Sequence, residues 1–116
     1  MNAVEWGVIV VTIVANLAIA VADLVAAEFV LANSAEVEVP RSWLPWLGVL
    51  KMLGSAGLLL GLLGFPVVGV AAAVGLVCFY VGAVVAHLRA RVLGNIAFPG
   101  GYLALAVASL FVALSW

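Results

Sequence analysis

Four long apolar stretches make up most of the chain, and short polar segments separate them. The stretches cover roughly residues 6–31, 46–64, 67–87 and 99–116. A helix needs about 20 apolar residues to cross the hydrocarbon core of a bilayer. The pattern therefore predicts four membrane-spanning helices, the first of which runs unbroken to residue 31.

The apolar runs are continuous and do not alternate with polar positions, which indicates helices and excludes the strands of a membrane barrel. Only Gly64, Phe65 and Pro66 connect the second and third spans. A connection this short requires the two helices to pack as an antiparallel hairpin. Pro99 suits the first turn of the last helix. We expect an all-α fold, a membrane-spanning antiparallel four-helix bundle in which residues 1–116 form a single domain.

The nine charged side chains are distributed unevenly between the two ends of this bundle. Only Glu5 falls at the end that holds both termini and the 64–66 turn. The other eight fall towards the opposite end: Asp23, Glu28, Glu36, Glu38, Arg41, Lys51, Arg89 and Arg91. Cytoplasmic loops of membrane proteins carry an excess of Lys and Arg. We therefore expect a multi-pass protein of the cell membrane with loops 33–45 and 89–98 in the cytoplasm and both termini outside.

The composition excludes several classes of protein. With 69% hydrophobic residues, the chain lacks the polar surface that a soluble domain of 116 residues needs. Cys78 is the only cysteine, so there is no CxxC redox pair. The sequence shows no nucleotide motif, no cluster of metal ligands and no nucleophile beside a base, and no feature indicates nucleic acid. We predict no catalytic residue and no metal site, and favour a protein without an activity of its own.

Two charged residues lie within the spans and need a physical explanation. Lys51 lies five residues beyond Trp46, and Asp23 lies at a comparable depth on the preceding antiparallel helix. An unpaired charge at the bilayer centre costs about 2.5–3.5 kcal/mol on insertion scales. Lys51 could extend its long side chain to the headgroups, or it could form an ion pair with Asp23 inside the bundle.

The polar residues of the inner half of the bundle could line one pocket. The candidates are Asp23, Lys51, Ser55, Tyr80, His87 and Tyr102, with Glu28, Arg89 and Arg91 at its mouth. A lone histidine is a poor metal site, so His87 has either a structural role or a role in binding a ligand or a proton. Arg89 and Arg91 are typical of residues that contact anionic lipid headgroups.

Small and polar residues also recur at helical spacing. Gly57 and Gly61 form a small-xxx-small step, which indicates close packing within the bundle or, alternatively, a homodimer seam. A mildly polar stripe recurs every seven residues near the C-terminus: Asn95, Tyr102, Ser109 and Trp116. We expect this stripe to face neighbouring helices.

Three segments closely resemble the DoxX-like family of small four-helix membrane proteins. They are residues 39–51 (VPRSWLPWLGVLK), residues 57–61 (GLLLG) and residues 81–90 (VGAVVAHLRA). The flanking residues 33–36 and 96–100 are similar to those of actinobacterial members. The resemblance extends from about residue 29 to residue 110 and is weaker in the first span.

The family takes its name from a small membrane subunit of a thiosulfate:quinone oxidoreductase. The resemblance therefore implies an accessory or anchoring subunit of a membrane-associated redox assembly, with a quinone or lipid in its pocket. It maps Lys51, His87 and Arg89 onto characteristic positions, whereas Glu28 stands where similar sequences often have a basic residue.

Two other functions are compatible with the sequence. Small multidrug exporters also have four helices, although they depend on an acidic residue in the middle of the first helix, where this chain has Asn16. A structural protein that binds only membrane lipids is the other alternative.

Overall fold

The computed structural model describes residues 1–116 and consists of five α-helices and one short 3₁₀ turn, without β-strands. The elements are α1 (Ala3–Leu24), α2 (Glu28–Glu36), the 3₁₀ turn (Arg41–Trp43), α3 (Leu44–Leu62), α4 (Pro66–Arg89) and α5 (Ala97–Ala113). The expected all-α fold is confirmed.

Local sequence signals explain where the long helices begin. Asn2 and Glu5 form a capping box: the Glu5 amide donates to Asn2 Oδ1 at 2.9 Å, and the Asn2 amide donates to Glu5 Oε1 at 3.0 Å. These contacts satisfy two backbone donors that a helix start leaves free. Pro45 and Pro66 lie in the first turns of α3 and α4, where the missing amide hydrogen of proline costs no hydrogen bond.

Four of the helices end in the same way, with a residue in the left-handed backbone region. These residues are Ala26 after α1, Glu38 after α2, Gly64 after α3 and Arg91 after α4. In each case the next amide donates to the carbonyl five residues back, as Ala27 does to Ala22 at 3.0 Å. Such a hydrogen bond closes a Schellman-type cap.

The cap at Ala26 corrects the predicted first span. The expected helix over residues 6–31 ends at Leu24, and the chain turns into the separate helix α2. The turn contains neither glycine nor proline, so no residue in it marks the end of a helix. α2 packs against the end of the bundle, where Val30 joins Ile19 and Leu44 in a small apolar cluster.

The four long helices form a closed ring of contacts: α1 lies against α3 and α5, and α4 lies against the same two helices. Contacts between α3 and α4 run in opposite directions along the two helices, since Gly57 faces Ala72 and Gly61 faces Gly69. The Trp116 ring covers Gly61 and Gly69, where an added Cβ on either glycine would collide with it. The GLLLG step therefore packs within the chain.

The interior of the bundle combines an apolar core with buried polar groups, and its outer surface is apolar. Eight polar or charged residues are buried: Thr12, Asn16, Asp23, Ser34, Lys51, Ser55, His87 and Ser109. Large hydrophobic side chains are exposed along every long helix, among them Val14, Leu53, Val81 and Phe111. An apolar surface this extensive is typical of a protein that contacts lipid.

The lengths of the helices agree with a surface that faces lipid. Ala3–Leu24, Arg41–Leu62 and Pro66–Arg89 are long and apolar enough to cross a membrane, and Ala97–Ala113 is a shorter apolar helix. The chain is thus a membrane protein with three or four candidate spans.

The packing of α3 on α4 predicts opposite effects for two glycines. A Cβ added to Gly57 would lie 2.5 Å from the Ala72 Cβ, whereas one added to Gly75 would meet nothing within 4 Å. We expect Gly57→Ala to lower the free energy of unfolding by about 1–3 kcal/mol through overpacking. Gly75→Ala, the matched control on α4, leaves it unchanged or raises it slightly. Unfolding in mixed micelles followed by circular dichroism measures both, and equal effects of the two substitutions would contradict this packing.

Candidate functional site

Asp23 of α1 and Lys51 of α3 form the one ion pair of the structure. Lys51 Nζ donates to Asp23 Oδ2 at 2.6 Å, and the two residues are only 8% and 3% exposed. Lys51 therefore points into the bundle towards Asp23 and does not extend to the headgroups. The ammonium also lies 5.2 Å from the centre of the Phe79 ring, a distance at which the ring face attracts a cation.

Gly48 allows this pair to form. An added Cβ at Gly48 would lie 3.0 Å from the Ala20 carbonyl and 3.2 Å from Asp23 Cβ, so glycine lets α1 and α3 approach closely. Lys51 follows on the same helix three residues later, close to the same face. One turn further on, Ser55 donates to the Lys51 carbonyl at 2.9 Å.

A second buried polar network connects α1, α4 and α5. Tyr80 donates to Asn16 Oδ1 at 2.6 Å, and Asn16 donates to the Thr12 carbonyl at 2.8 Å. Ser109 donates to Thr12 Oγ1 at 2.8 Å. Every link ends on a backbone carbonyl or on another member of the network, so these side chains are satisfied without a ligand.

A cavity of about 610 Å³ lies beside the ion pair, between the ends of α1, α3 and α4 and the segment that precedes α5. Helix α2 and the 3₁₀ turn form its outer wall. Of its 23 lining residues, 15 are hydrophobic. This volume and composition are typical of sites for small organic molecules.

Aromatic rings make up much of one wall of the cavity. Phe79, Tyr80 and Phe98 line it, and Phe79 packs edge-on against Tyr80 with ring centres 5.0 Å apart. Tyr102 supports this wall from behind, since its ring stacks on Tyr80 at 5.2 Å and its hydroxyl donates to the Ala15 carbonyl at 3.1 Å. Trp43 of the 3₁₀ turn contributes a further ring to the lining.

Three polar side chains from different elements meet at another part of the cavity lining. His87 Nδ1 lies 2.9 Å from the Ala83 carbonyl, and His87 Nε2 lies 3.3 Å from Asn33 Oδ1. Asn95 Nδ2 donates to the same Asn33 oxygen at 2.9 Å. The remaining amide oxygen, Asn95 Oδ1, is buried and has no hydrogen-bond partner.

The structure brings together four of the six pocket residues expected from the sequence. Asp23, Lys51, Tyr80 and His87 line the cavity, while Ser55 and Tyr102 do not. Ser55 is buried between α1 and α3, where its hydroxyl also lies 3.5 Å from the Ile13 carbonyl.

The residues expected at the mouth are placed differently. Glu28, Arg89 and Arg91 are exposed, none of them lines the cavity, and none forms an ion pair. The reason is that α2 turns back over the end of the bundle, so α2 itself, through Phe29, Val30, Asn33 and Ser34, forms this boundary of the cavity. Contact of the two arginines with lipid headgroups stays a prediction.

Sequence reasoning missed several residues of the site, most importantly Asn33, Phe79 and Asn95. The sequence gives no signal for the break at Ala26, so the first span was expected to continue to residue 31 and Asn33 to begin the following loop. In the structure, Asn33 lies in the separate helix α2. Asn95 belongs to the polar stripe that recurs every seven residues. The members of that stripe face neighbouring elements, as expected. A search for amides near the ends of spans would have found both asparagines.

The site offers groups that bind and orient a ligand: a paired cation and anion, an amide cluster and aromatic walls. The structure contains no group of three or more His, Cys, Asp or Glu side chains that could hold a metal ion.

The buried ion pair predicts strong energetic coupling between α1 and α3. Lys51→Met leaves the Asp23 carboxylate buried without its partner, and removing one partner of a buried pair typically costs about 3–5 kcal/mol. We expect the double substitution Asp23→Asn/Lys51→Met to recover more than half of that loss, since no charge is then left unpaired. Glu28→Gln, which removes an exposed carboxylate, serves as the control. The wild type, Asp23→Asn, Lys51→Met and the double variant form a double-mutant cycle, and their unfolding is measured in the same micelles. Additive effects of the two single substitutions would contradict the pair.

Comparison with known proteins is consistent with this architecture. The model of the DoxX-like family matches residues 8–109. No curated protein and no solved structure matches the chain. The family match includes α1, where the resemblance of the motifs is weaker, together with all helices around the cavity. Because it covers most of the chain, the protein belongs to the DoxX-like family.

Proposed function

We propose that this protein is an accessory subunit of a membrane-associated redox assembly and that it binds a quinone in the cavity beside Asp23 and Lys51. The observation that carries the proposal is the combination of aromatic walls with buried polar groups in one cavity. A quinone has the matching chemistry: a flat ring with polar oxygens at its edge and an apolar tail.

The dimensions and the lining of the cavity support this ligand. Its volume of about 610 Å³ is within the range of sites for small organic molecules. The rings of Phe79, Tyr80 and Phe98 could stack against a flat ring. Lys51 has two ammonium protons beyond the one shared with Asp23, and these could donate to a carbonyl oxygen.

An accessory role fits the chemistry of the lining. The polar side chains bind and orient, whereas electron transfer to or from a quinone needs a redox partner. We propose that this partner docks at the cytoplasmic end of the bundle, where Arg41, Arg89 and Arg91 are exposed. Membrane lipids are the other partner, and their anionic headgroups are complementary to the same arginines.

The proposal includes an orientation in the membrane. We propose a four-span antiparallel bundle with both termini outside and the cavity in the inner leaflet. The 17 residues of α5 give a length of about 25 Å at 1.5 Å per residue. The turn formed by Leu114, Ser115 and Trp116 extends this helix towards the outer interface, where tryptophan is favoured.

Trp43 provides a direct test of quinone binding, because it lines the cavity. In a protein with Trp6→Phe, Trp46→Phe and Trp116→Phe, we expect decylbenzoquinone to quench the remaining fluorescence in a saturable manner. The matched control retains Trp6 and replaces the other three tryptophans; its quenching should rise without saturation as quinone partitions into the micelle. Phe79→Ala should weaken the saturable component. Identical quenching of the two single-tryptophan proteins would refute quinone binding in this cavity.

Labelling of engineered cysteines tests the orientation. In a Cys78→Ala background, we expect Ser115→Cys to react with a membrane-impermeant maleimide in intact cells. Ser42→Cys should react only after the membrane is permeabilised. Reversed labelling would contradict the orientation, and labelling of both positions from the same side would show that α5 does not cross.

A further inference from the structure

A second hollow, of about 490 Å³, lies between α3 and α4 and is named here the α3–α4 groove. Leu50 and Leu53 of α3 and Gly75 of α4 line it and are exposed, so the groove opens towards lipid. Leu76 is only 2% exposed and packs against Gly54, which closes the groove towards the interior of the bundle. The groove is therefore a depression in the surface that faces the bilayer.

The α3–α4 groove is continuous with the cavity beside the ion pair. Leu50, Cys78 and Phe79 line both hollows. Gly82 lines the cavity, and Gly75 lies seven residues earlier on the same face of α4 and lines the groove. A Cβ added to either glycine would meet nothing within 4 Å. Open space therefore follows one face of α4 from the cavity into the groove.

The two hollows differ in their chemistry. The cavity contains the Asp23–Lys51 pair and several neutral polar side chains. The lining of the groove consists of six hydrophobic residues and two glycines. The groove thus suits an apolar chain and offers no charged or amide side chain to a polar group.

The depth of the groove restricts what can fill it. Leu53 lies at the middle of α3 (Leu44–Leu62), and Gly75 lies near the middle of α4 (Pro66–Arg89). Both helices belong to segments long and apolar enough to cross a membrane. The middle of a spanning helix lies in the hydrocarbon core, which contains lipid tails and no water. The occupant of the groove is therefore a hydrocarbon chain.

We propose that the α3–α4 groove holds the hydrocarbon tail of the molecule whose ring occupies the cavity, so that the ligand is a long-tailed quinone that enters sideways from the bilayer. Phe79 joins the two parts, since its ring centre lies 5.2 Å from Lys51 Nζ and its side chain lines both hollows. A ring whose carbonyl oxygen meets Lys51 therefore lies next to the start of the groove. This inference rests on the proposed function, because the ring occupies the same cavity.

Two probes with the same ring test the path of the tail: decylubiquinone, and the tail-less ubiquinone ring in which hydrogen replaces the decyl chain. The protein retains Trp43 as its single tryptophan. It also carries Cys78→Ala, which removes the one thiol that a quinone ring could modify. Saturable quenching of Trp43 in lipid nanodiscs gives a dissociation constant for each probe.

Gly75→Leu fills the groove at a position that does not line the cavity. We expect the dissociation constant of decylubiquinone to rise by about tenfold or more, because the tail loses its path. The dissociation constant of the tail-less ring should stay unchanged. Because each probe is compared with itself, its partition into lipid cancels.

Gly101→Leu on α5 is the matched control. Gly101 is also exposed, an added Cβ there would meet nothing within 4 Å, and the residue lines neither hollow. We expect this substitution to leave the dissociation constants of both probes unchanged.

A photoreactive tail locates the path in the wild-type protein, so the test stays decisive even where Gly75→Leu does not fold. Decylubiquinone with a diazirine at the end of its chain should label the segments of α3 and α4 around Leu53 and Gly75 on illumination. Excess decylubiquinone should suppress this labelling, which mass spectrometry of the peptides measures. Labelling confined to α1 or α5, or labelling that the excess does not suppress, would overturn the inference.

The outcomes separate this inference from the proposed function. If neither probe quenches Trp43 in a saturable manner, the proposed function is wrong. If both probes bind and Gly75→Leu changes neither dissociation constant, or raises both equally, quinone binding stands and the tail does not lie in the groove.

Discussion

The buried ion pair between Asp23 and Lys51 is the constraint on which the rest of the structure depends. Two charges inside an apolar bundle are tolerated only when they meet, so the pair fixes how α1 lies along α3. Gly48 brings the two backbones close enough for a 2.6 Å contact. Once α1 and α3 are fixed, the 64–66 turn places α4, and the Thr12–Ser109 hydrogen bond holds α5 against α1.

The buried polar groups lie in two halves of the bundle that differ in physical character. Towards the termini, glycine packing under Trp116 and the Thr12 network leave neighbouring helices in direct contact with one another. Towards the loops, Asp23 and Lys51 adjoin a cavity with aromatic walls. The first half satisfies its own hydrogen bonds, whereas the second includes a buried amide oxygen that the protein itself leaves unpaired.

The short helix α2 turns this end of the bundle into a site. The left-handed residue Ala26 stops α1 and lets α2 fold across the bundle end, where Val30 packs on Ile19 and Leu44. This packing offsets the cost of placing an alanine in that backbone region, which is on the order of 1–2 kcal/mol. It also brings Asn33 to His87 and Asn95, which are more than fifty positions away in sequence. A continuous first span would have left that side of the cavity open to lipid.

The sequence by itself determined the class of the protein, because continuous apolar runs long enough to cross a bilayer form membrane-spanning helices. The motifs around Lys51 and His87 indicated the family. It also identified Asp23 and Lys51 as candidates for a pair, since buried charges need partners. Only the tertiary structure decided that α1 ends at Leu24, that Ser55 and Tyr102 lie behind the cavity, and that Asn33 and Asn95 belong to it. The physical reason is that periodicity reports which face of a helix avoids lipid. Which polar groups on those faces meet depends on which helix packs against Gly48 and on the turn at Ala26. A glycine indicates close packing without naming the partner helix, and the turn at Ala26 contains neither glycine nor proline.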